Sequence, residues 1–282
     1  MAARMPRLIA TDLDGTIVRS DGTVSARTVE ALGRVERAGA TVVMVTGRPP
    51  RWMHEIAEAV GHRGVAICAN GAVRYDLHTE AVLKARLIEP DVIAKVVERL
   101  RATEPELRFA VEYPDGFVFE ARYNLGRWDA DAIGGRPVEG EELIARPGTK
   151  LLAFHPDSEP DGLARRAQRS VGDLVTVTHS SGRGLLEMSA YGVTKATALA
   201  ELADDLGLHS GEVVASDDLG LHSGEVVAFG DMPNDLPMLT WAGRSFGVAN
   251  AHPDVLAAVT DTTGSNDEDG VARVLERLFP EG

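Results

Sequence analysis

Two aspartates stand two positions apart in the segment TDLDGT, where Asp12 and Asp14 follow the short apolar run of residues 8–10. A short apolar run that ends in turn residues is typical of a strand buried on both faces of a parallel sheet. Ligands of such sheets bind beyond the carboxyl ends of the strands, where this pair would lie. Two carboxylates so close repel unless a cation lies between them, and Mg²⁺ favours such oxygen ligands. Asp231 and Asp235 follow another apolar strand and could complete a metal cluster, although TDLDGT alone is equally compatible with an ordinary acidic turn.

Groups that could bind a phosphoryl oxygen follow a second apolar run, residues 41–45, which ends in Thr46 and Gly47. A hydroxyl and exposed backbone N–H groups before a helix can hold such an oxygen, although Thr-Gly is also common in ordinary turns. Lys195 stands near the start of a later helix, where a lysine is usually solvated. The helix dipole slightly disfavours a cation there, which suggests another reason for its presence.

The surrounding pattern predicts two kinds of structure along the chain. Up to residue 69, apolar runs alternate with amphipathic stretches, as in a doubly wound, mostly parallel α/β sheet of the Rossmann-like kind. After about residue 83, an amphipathic helix and a hairpin around Pro-Asp-Gly indicate an α+β module with antiparallel pairing. The alternating pattern returns near residue 193. We therefore predict a core domain of residues 1–82 and 190–282 with an inserted domain of residues 83–189.

A perfect repeat interrupts the second part of the core. Residues 204–215 and 217–228 carry the same twelve letters. A repeat this short with two copies is not a solenoid. It is typical of a recent local duplication or of an error in the gene model. The second copy continues into the segment with Asp231 and Asp235, so we assign it to the core strand. We expect the first copy to form an extra loop or helix extension near the surface.

Composition excludes several classes of partner. The 282 residues carry a net charge of −14 with only 5% aromatic residues, which disfavours nucleic acid as a partner. A single cysteine, Cys68, cannot form an internal disulfide and fits a reducing compartment, so we expect a cytoplasmic protein. The N-terminus has charge but no apolar core long enough for a signal peptide, and no stretch approaches the length of a membrane span, so we expect no membrane partner.

The order of the motifs is more specific than any one of them. Asp-x-Asp-Gly-Thr, Thr-Gly-Arg, Gly-Val-Thr-Lys and Gly-Asp-x-x-Asn-Asp occur in one succession along the chain. In this the sequence resembles the haloacid dehalogenase (HAD) superfamily, and most closely the Cof-like phosphatases (type IIB). Those enzymes carry a large α/β cap domain between the second and third motifs. The resemblance covers essentially the whole chain, and the duplicated segment is its one clear departure.

The resemblance implies a role for each motif residue. Asp12 would be the nucleophile, Asp14 the general acid and base, and Lys195 would neutralise charge on the transferred group. Thr46, Gly47 and Asn234 would bind the phosphate. Mg²⁺ would be held by the carboxylates of Asp12 and Asp231 and the backbone carbonyl of Asp14, with Asp235 fixing the neighbours of the metal.

The expected activity is Mg²⁺-dependent hydrolysis of small phosphorylated metabolites through an aspartyl-phosphate, with sugar phosphates first among the substrates and flavin or pyridoxal phosphates second. A phosphotransferase or phosphomutase would share the same motifs. A phosphoacceptor domain without turnover is the alternative from another class, and Asp14, Lys195 and the cap argue against it. A third alternative is an inactive protein, if the duplication displaced Asp231. We expect a monomer or a homodimer.

Overall fold

The computed structural model describes residues 5–61, 64–123, 134–180, 184–207 and 225–281. The helices in these ranges are α1 (Ala26–Arg37), α2 (His54–Ala59), α3 (Pro90–Thr103), α4 (Pro160–Val171), α5 (Lys195–Asp205), α6 (Leu236–Trp241), α7 (Pro253–Ala258) and α8 (Gly270–Leu278). The strands are β1 (Leu8–Thr11), β2 (Thr41–Val45), β3 (Val65–Cys68), β4 (Val73–Asp76), β5 (Ala81–Ala85), β6 (Arg108–Tyr113), β7 (Gly116–Glu120), β8 (Gly135–Val138), β9 (Lys150–Phe154), β10 (Val175–Thr178), β11 (Leu185–Ala190), β12 (Val226–Gly230), β13 (Arg244–Gly247) and β14 (Asp261–Thr262).

The first sheet has the order β14-β13-β12-β1-β2-β3-β4-β5. Strands β14 to β3 pair in parallel, and β4 and β5 add an antiparallel end. Leu8, Ile9 and Ala10 of β1 have no exposed surface, because the sheet is covered on both faces. This strand order confirms the predicted α/β fold with a mostly parallel core sheet. It also places the ends of β1, β2 and β12 side by side.

Local signals in the sequence account for the first helix. The Ser25 hydroxyl accepts a hydrogen bond from the Thr28 N–H at the start of α1, as a capping residue does. Gly39 follows the helix with φ +83°, a conformation that costs glycine little. Leu32 and Val35 are buried against the core sheet, whereas Val29 is only half-buried.

The second sheet has the order β10-β11-β9-β6-β7-β8 and belongs to the inserted segment, which we call the cap. Its pairs are antiparallel except for β7 with β8, and β6 and β7 form the predicted hairpin, with Tyr113 opposite Gly116. One face packs on α3 and α4 through an apolar cluster that includes Phe109 and Leu163. The opposite face is turned towards the core, where Trp52 packs against its apolar residues.

The repeated segment resolves as predicted at its second copy. Val226 and Val227 lie in β12, which pairs in parallel with β1. The first copy begins within α5, and its residues 208–215 lie outside the described residues. The boundaries at residues 83 and 189 stay predictions. Among the described residues, no helix is long and apolar enough to cross a membrane.

Candidate active site

The end of β1 holds the first acidic motif. The Asp12 N–H donates to the Phe229 carbonyl of β12 at 3.0 Å, so the parallel pairing continues to the site. Gly15 has φ +79°, and a side chain at this position would overlap the Asp231 carboxylate. Thr16 donates from its hydroxyl to Asp231 Oδ1 at 3.3 Å. The turn after β1 therefore fits closely against the motif that follows β12.

Three carboxylates converge at these strand ends. Oxygen atoms of Asp12, Asp231 and Asp235 lie within 4.8 Å of one another, and all three side chains are buried. Burial and the neighbouring carboxylates, Asp235 first, raise the pKa of Asp12 well above its ordinary range. The same two causes raise the pKa of Asp231 to about 7. The site thus concentrates negative charge that needs a positive partner.

Lys195 supplies one positive charge inside this cluster. It is the first residue of α5 and is 1% exposed. Its Nζ donates to Asp12 Oδ1 and to Asp235 Oδ1, each at 2.6 Å. Burial alone would lower the pKa of Lys195, but the two carboxylates raise it above its ordinary value, so the ammonium stays charged. The second oxygen of Asp235 accepts from the N–H groups of Asp231 and Met232 and thereby fixes the turn after β12.

The turn after β2 brings a hydroxyl and an arginine to the same edge. The Arg48 N–H donates to Thr46 Oγ1 at 3.0 Å. This bond uses a lone pair of the hydroxyl and leaves its hydrogen available to a ligand. The Arg48 guanidinium pairs with both carboxylate oxygens of Asp14 at 2.8 and 2.6 Å. The Asp14 side chain is 58% exposed, so it borders solvent rather than the buried cluster.

An amide pair closes the site on another side. Asn234 Nδ2 donates to Asn70 Oδ1 at 3.1 Å, and both side chains are buried. Asn70 has φ 56°, which is uncommon for a residue with a side chain and concentrates at functional sites. A cleft of about 350 Å³ adjoins this pair and is lined by residues of the core and of the cap, among them Thr178, Ser189 and Lys195.

Two buried polar atoms at this cleft could accept or donate a further hydrogen bond. Asn234 Oδ1 and Ser189 Oγ are buried without a hydrogen bond to any described residue. Buried polar atoms are costly when unpaired, so such atoms at a cleft indicate a place for a polar ligand or for water.

The donor set fits Mg²⁺. The converging ligands are carboxylate oxygens, which are the hard donors that Mg²⁺ prefers, and a divalent cation would relieve their repulsion. Of these, Asp12 and Asp231 are free to share an ion, whereas both oxygens of Asp235 already accept hydrogen bonds from Lys195 and from the backbone.

The structure thus brings together Asp12, Lys195, Asp231 and Asp235 in one cluster, with Asn234 in the same turn as Asp235. The Thr46 turn lies beside them, since a side chain at Gly47 would contact both Asn70 and Asn234. The Asp14 side chain lies outside this cluster and pairs with Arg48.

Sequence reasoning missed four residues around this site. Arg48 stood inside the quoted motif Thr-Gly-Arg, and Asn70 directly follows the predicted strand that ends at residue 69, yet nothing in the spacing showed their partners. Lys150 of β9 reaches from the cap to the Gly47 carbonyl and to Glu187 of β11. The one available signal was Glu187 itself, a charged residue inside the apolar run Leu-Leu-Glu-Met.

Comparison with known proteins agrees with this geometry. A family model described as haloacid dehalogenase-like hydrolase matches residues 9–275. The chain therefore belongs to the haloacid dehalogenase-like hydrolases, and it is a phosphatase of that family.

Similar proteins span nearly the whole chain. The 5-amino-6-(5-phospho-D-ribitylamino)uracil phosphatase YitU of Bacillus subtilis is 26% identical over 287 residues, covering 97% of this chain and 98% of its own. The pyridoxal phosphate phosphatase YbhA of Escherichia coli is 26% identical over 285 residues, covering 95% and 97%. The solved structure of the subclass IIB sugar phosphatase BT4131 has a TM-score of 0.79 at 19% identity, covering 96% and 98%. That last likeness shows the α/β fold with its cap.

Proposed function

We propose that this chain hydrolyses phosphomonoesters of small metabolites through an aspartyl-phosphate on Asp12, with Mg²⁺ as cofactor. The observation that carries the proposal is the convergence of Asp12, Asp231 and Asp235, with the Lys195 ammonium paired to Asp12 and Asp235. This cluster lies at the carboxyl edge of a parallel sheet, where ligands of this fold class bind.

In the first step, an Asp12 carboxylate oxygen forms a bond to phosphorus while the bond to the ester oxygen breaks. Asp14 gives its proton to the departing oxygen. Lys195 stabilises the negative charge on Asp12 and on the transferred group. Thr46, Gly47 and Asn234 hold the phosphoryl oxygens.

In the second step, water attacks the phosphorus of the aspartyl-phosphate and Asp14 takes up its proton. Inorganic phosphate leaves and the Asp12 carboxylate is restored. Asp12, Asp231 and the backbone carbonyl of Asp14 would hold Mg²⁺, which would supply charge compensation between the anionic nucleophile and the anionic phosphate.

Asp14 must leave Arg48 to reach a leaving group. Its carboxyl group forms a bidentate pair with Arg48, so we assign the observed pair to the enzyme without substrate. The exposure of the Asp14 side chain leaves room for this movement.

We place sugar phosphates first among the substrates, because polar cleft atoms from both domains suit a hydroxylated leaving group. The relatives named above act on a pyridoxal phosphate and on a phosphorylated ribitylaminouracil, so these two classes come next. The buried, lone Cys68 fits a cytoplasmic setting. The monomer or homodimer stays a prediction.

The direct test measures phosphate release from sugar phosphates, pyridoxal 5′-phosphate and flavin mononucleotide, with Mg²⁺ and with a chelator. Asp12→Asn should lower the rate by several powers of ten, because an amide is a poor nucleophile. Asp21→Asn is the matched control, since Asp21 is an exposed acid of the same domain. Acid-quenched samples of the parent should carry phosphate on the peptide with Asp12. Activity of Asp12→Asn near the parent level would contradict the proposal, and isomer formation in place of phosphate release would indicate a mutase.

A further inference from the structure

A row of four charged side chains, three of them buried, crosses from the core to the cap beside the phosphate-binding turn. Arg51 of the core pairs with Glu112 of β6. Lys150 lies directly opposite Glu112 in the β6–β9 register and pairs with Glu187 at 2.7 Å. Glu112, Lys150 and Glu187 lie on the face of the cap sheet that is turned towards the core, and each is less than a tenth exposed.

One member of this row contacts the core backbone. Lys150 Nζ donates to the Gly47 carbonyl at 2.7 Å. That carbonyl belongs to the peptide unit between Gly47 and Arg48, and the N–H of the same unit donates to Thr46 Oγ1. A peptide unit is planar, so a contact that fixes its oxygen also fixes the direction of its N–H. The cap ammonium therefore constrains the orientation of the Thr46 hydroxyl.

Arg48, whose N–H belongs to this peptide unit, also contacts Asp14. The Arg48 side chain begins at the peptide unit that Lys150 holds, and it ends on the Asp14 carboxylate. Since Lys150 belongs to the cap and Gly47 to the core, this contact exists only when the two are together. Opening the cap would break the contact between Lys150 and the Gly47 carbonyl, and closing the cap would form it again.

We propose that Lys150 is a positioning residue that couples seating of the cap to the geometry of the phosphate-binding turn. Glu187 holds its ammonium in place, and the pair of Arg51 with Glu112 docks the same sheet next to it. This inference rests on the proposed role of Thr46 and Gly47 in binding phosphate. Lys150 acts through the Gly47–Arg48 peptide and touches no reacting atom in this scheme.

The test compares the parent with Lys150→Met, Lys150→Arg and the double variant Lys150→Met/Glu187→Met. The double variant removes both buried charges, a change that proteins tolerate better than the loss of one partner. Lys95→Met is the control, because Lys95 is an exposed lysine of α3 in the same cap. We would measure Tm, the binding of inorganic phosphate in the presence of Mg²⁺, and kcat and KM for p-nitrophenyl phosphate.

Lys150→Met and the double variant should each weaken phosphate binding and lower kcat by about tenfold, the effect of one charge-assisted hydrogen bond. Lys150→Arg should recover most of both values, since a guanidinium can donate to the same carbonyl. The Tm of the double variant should lie near that of the parent.

A purely structural role predicts otherwise, because the double variant would then bind phosphate and turn over as the parent does. That result would overturn the proposal, as would Lys150→Met with both values within about twofold of the parent. If the parent itself released no phosphate from any ester, the proposed function would fail, whereas the comparison of phosphate binding would still decide the role of Lys150.

Discussion

Lys195 is a cation at the start of a helix, where the dipole disfavours it, and its partners explain why it is there. Its ammonium lies between the Asp12 and Asp235 carboxylates, and these hydrogen bonds offset both the dipole and the loss of solvation. A buried ion pair stabilises little beyond an apolar replacement, yet loss of one member is costly. The arrangement therefore indicates selection for chemistry at this position rather than for stability.

Replacement of Lys195 by Met should lower turnover by about a hundredfold, as loss of one transition-state donor does. It should also lower Tm in the absence of Mg²⁺, because Asp12 and Asp235 would face each other without a cation. Phosphate release and thermal denaturation measure the two effects. Lys84→Met is the control, since Lys84 is an exposed lysine of β5. An unchanged rate of phosphate release would show that Lys195 has only a structural role.

Asp14 should matter most when the departing oxygen is a poor leaving group. Asp14→Asn cannot donate a proton, so we expect a loss of roughly a hundredfold or more on sugar phosphates. The rate of the first step should fall much less on p-nitrophenyl phosphate, because its leaving oxygen needs little protonation. The ratio of the two rates, measured with burst kinetics, checks this. Equal losses on both substrates would speak against a role as general acid.

The strand ends at the site were predictable because the motifs with Asp12, Thr46 and Asp231 each directly follow an apolar run. Strand β2 has the bounds that the sequence indicated, residues 41–45, and β1 ends at the residue before Asp12. A parallel sheet then places Asp12 and Asp231 on adjacent strands, so their meeting follows from topology.

The contacts between elements were not predictable in the same way. The pairs of Arg48 with Asp14 and of Lys150 with Glu187 depend on how turns and sheets dock, and no spacing along the chain encodes that. The pattern alone could not show the burial of Lys195, since a lysine in a first helical turn is indistinguishable by pattern from a solvated one; only the resemblance to the family indicated its place at the site.

The duplicated segment lengthens the connection between α5 and β12, and its deletion can be tested. Deletion of residues 204–216 joins Ala203 to Asp217 and regenerates the same letters after Ala203, including the last two residues of α5. Because β12 is formed by the second copy, the deletion leaves the turn with Asp231 unchanged. Phosphate release should stay within about twofold of the parent, since connection length has a small effect on stability. Loss of activity in a folded deletion variant would show that both copies are needed.

At the scale of the whole molecule, buried like charges should make stability depend on pH and on metal. The pKa of Asp231, raised to about 7 by burial and by Asp235, lies above that of an unfolded aspartate. The folded state therefore binds this proton more tightly, so its stabilising contribution is full below about pH 4 and is lost as pH rises to about 7.

Without divalent cations, the Tm of the parent should thus fall relative to that of Asp231→Asn between about pH 5 and pH 7.5. Mg²⁺ should raise the Tm of the parent by several degrees near neutral pH and that of the variant much less. Asp261→Asn is the control, because Asp261 is an exposed acid at the far edge of the sheet. A Tm difference independent of both pH and Mg²⁺ would contradict the shared-ion site.

The two crossings between core and cap lie close together. The Arg86 N–H bonds the Ala72 carbonyl where the chain leaves the core sheet, and Gly71 beside it packs against the Thr194 carbonyl where the chain returns. The inserted segment thus begins and ends at neighbouring points of a core that already carries Asp12, Asp231 and Lys195. Recombination could exchange such a segment between homologous genes while the reaction centre is inherited intact. Chimaeras built at these two crossings would offer a direct route to enzymes with new selectivity.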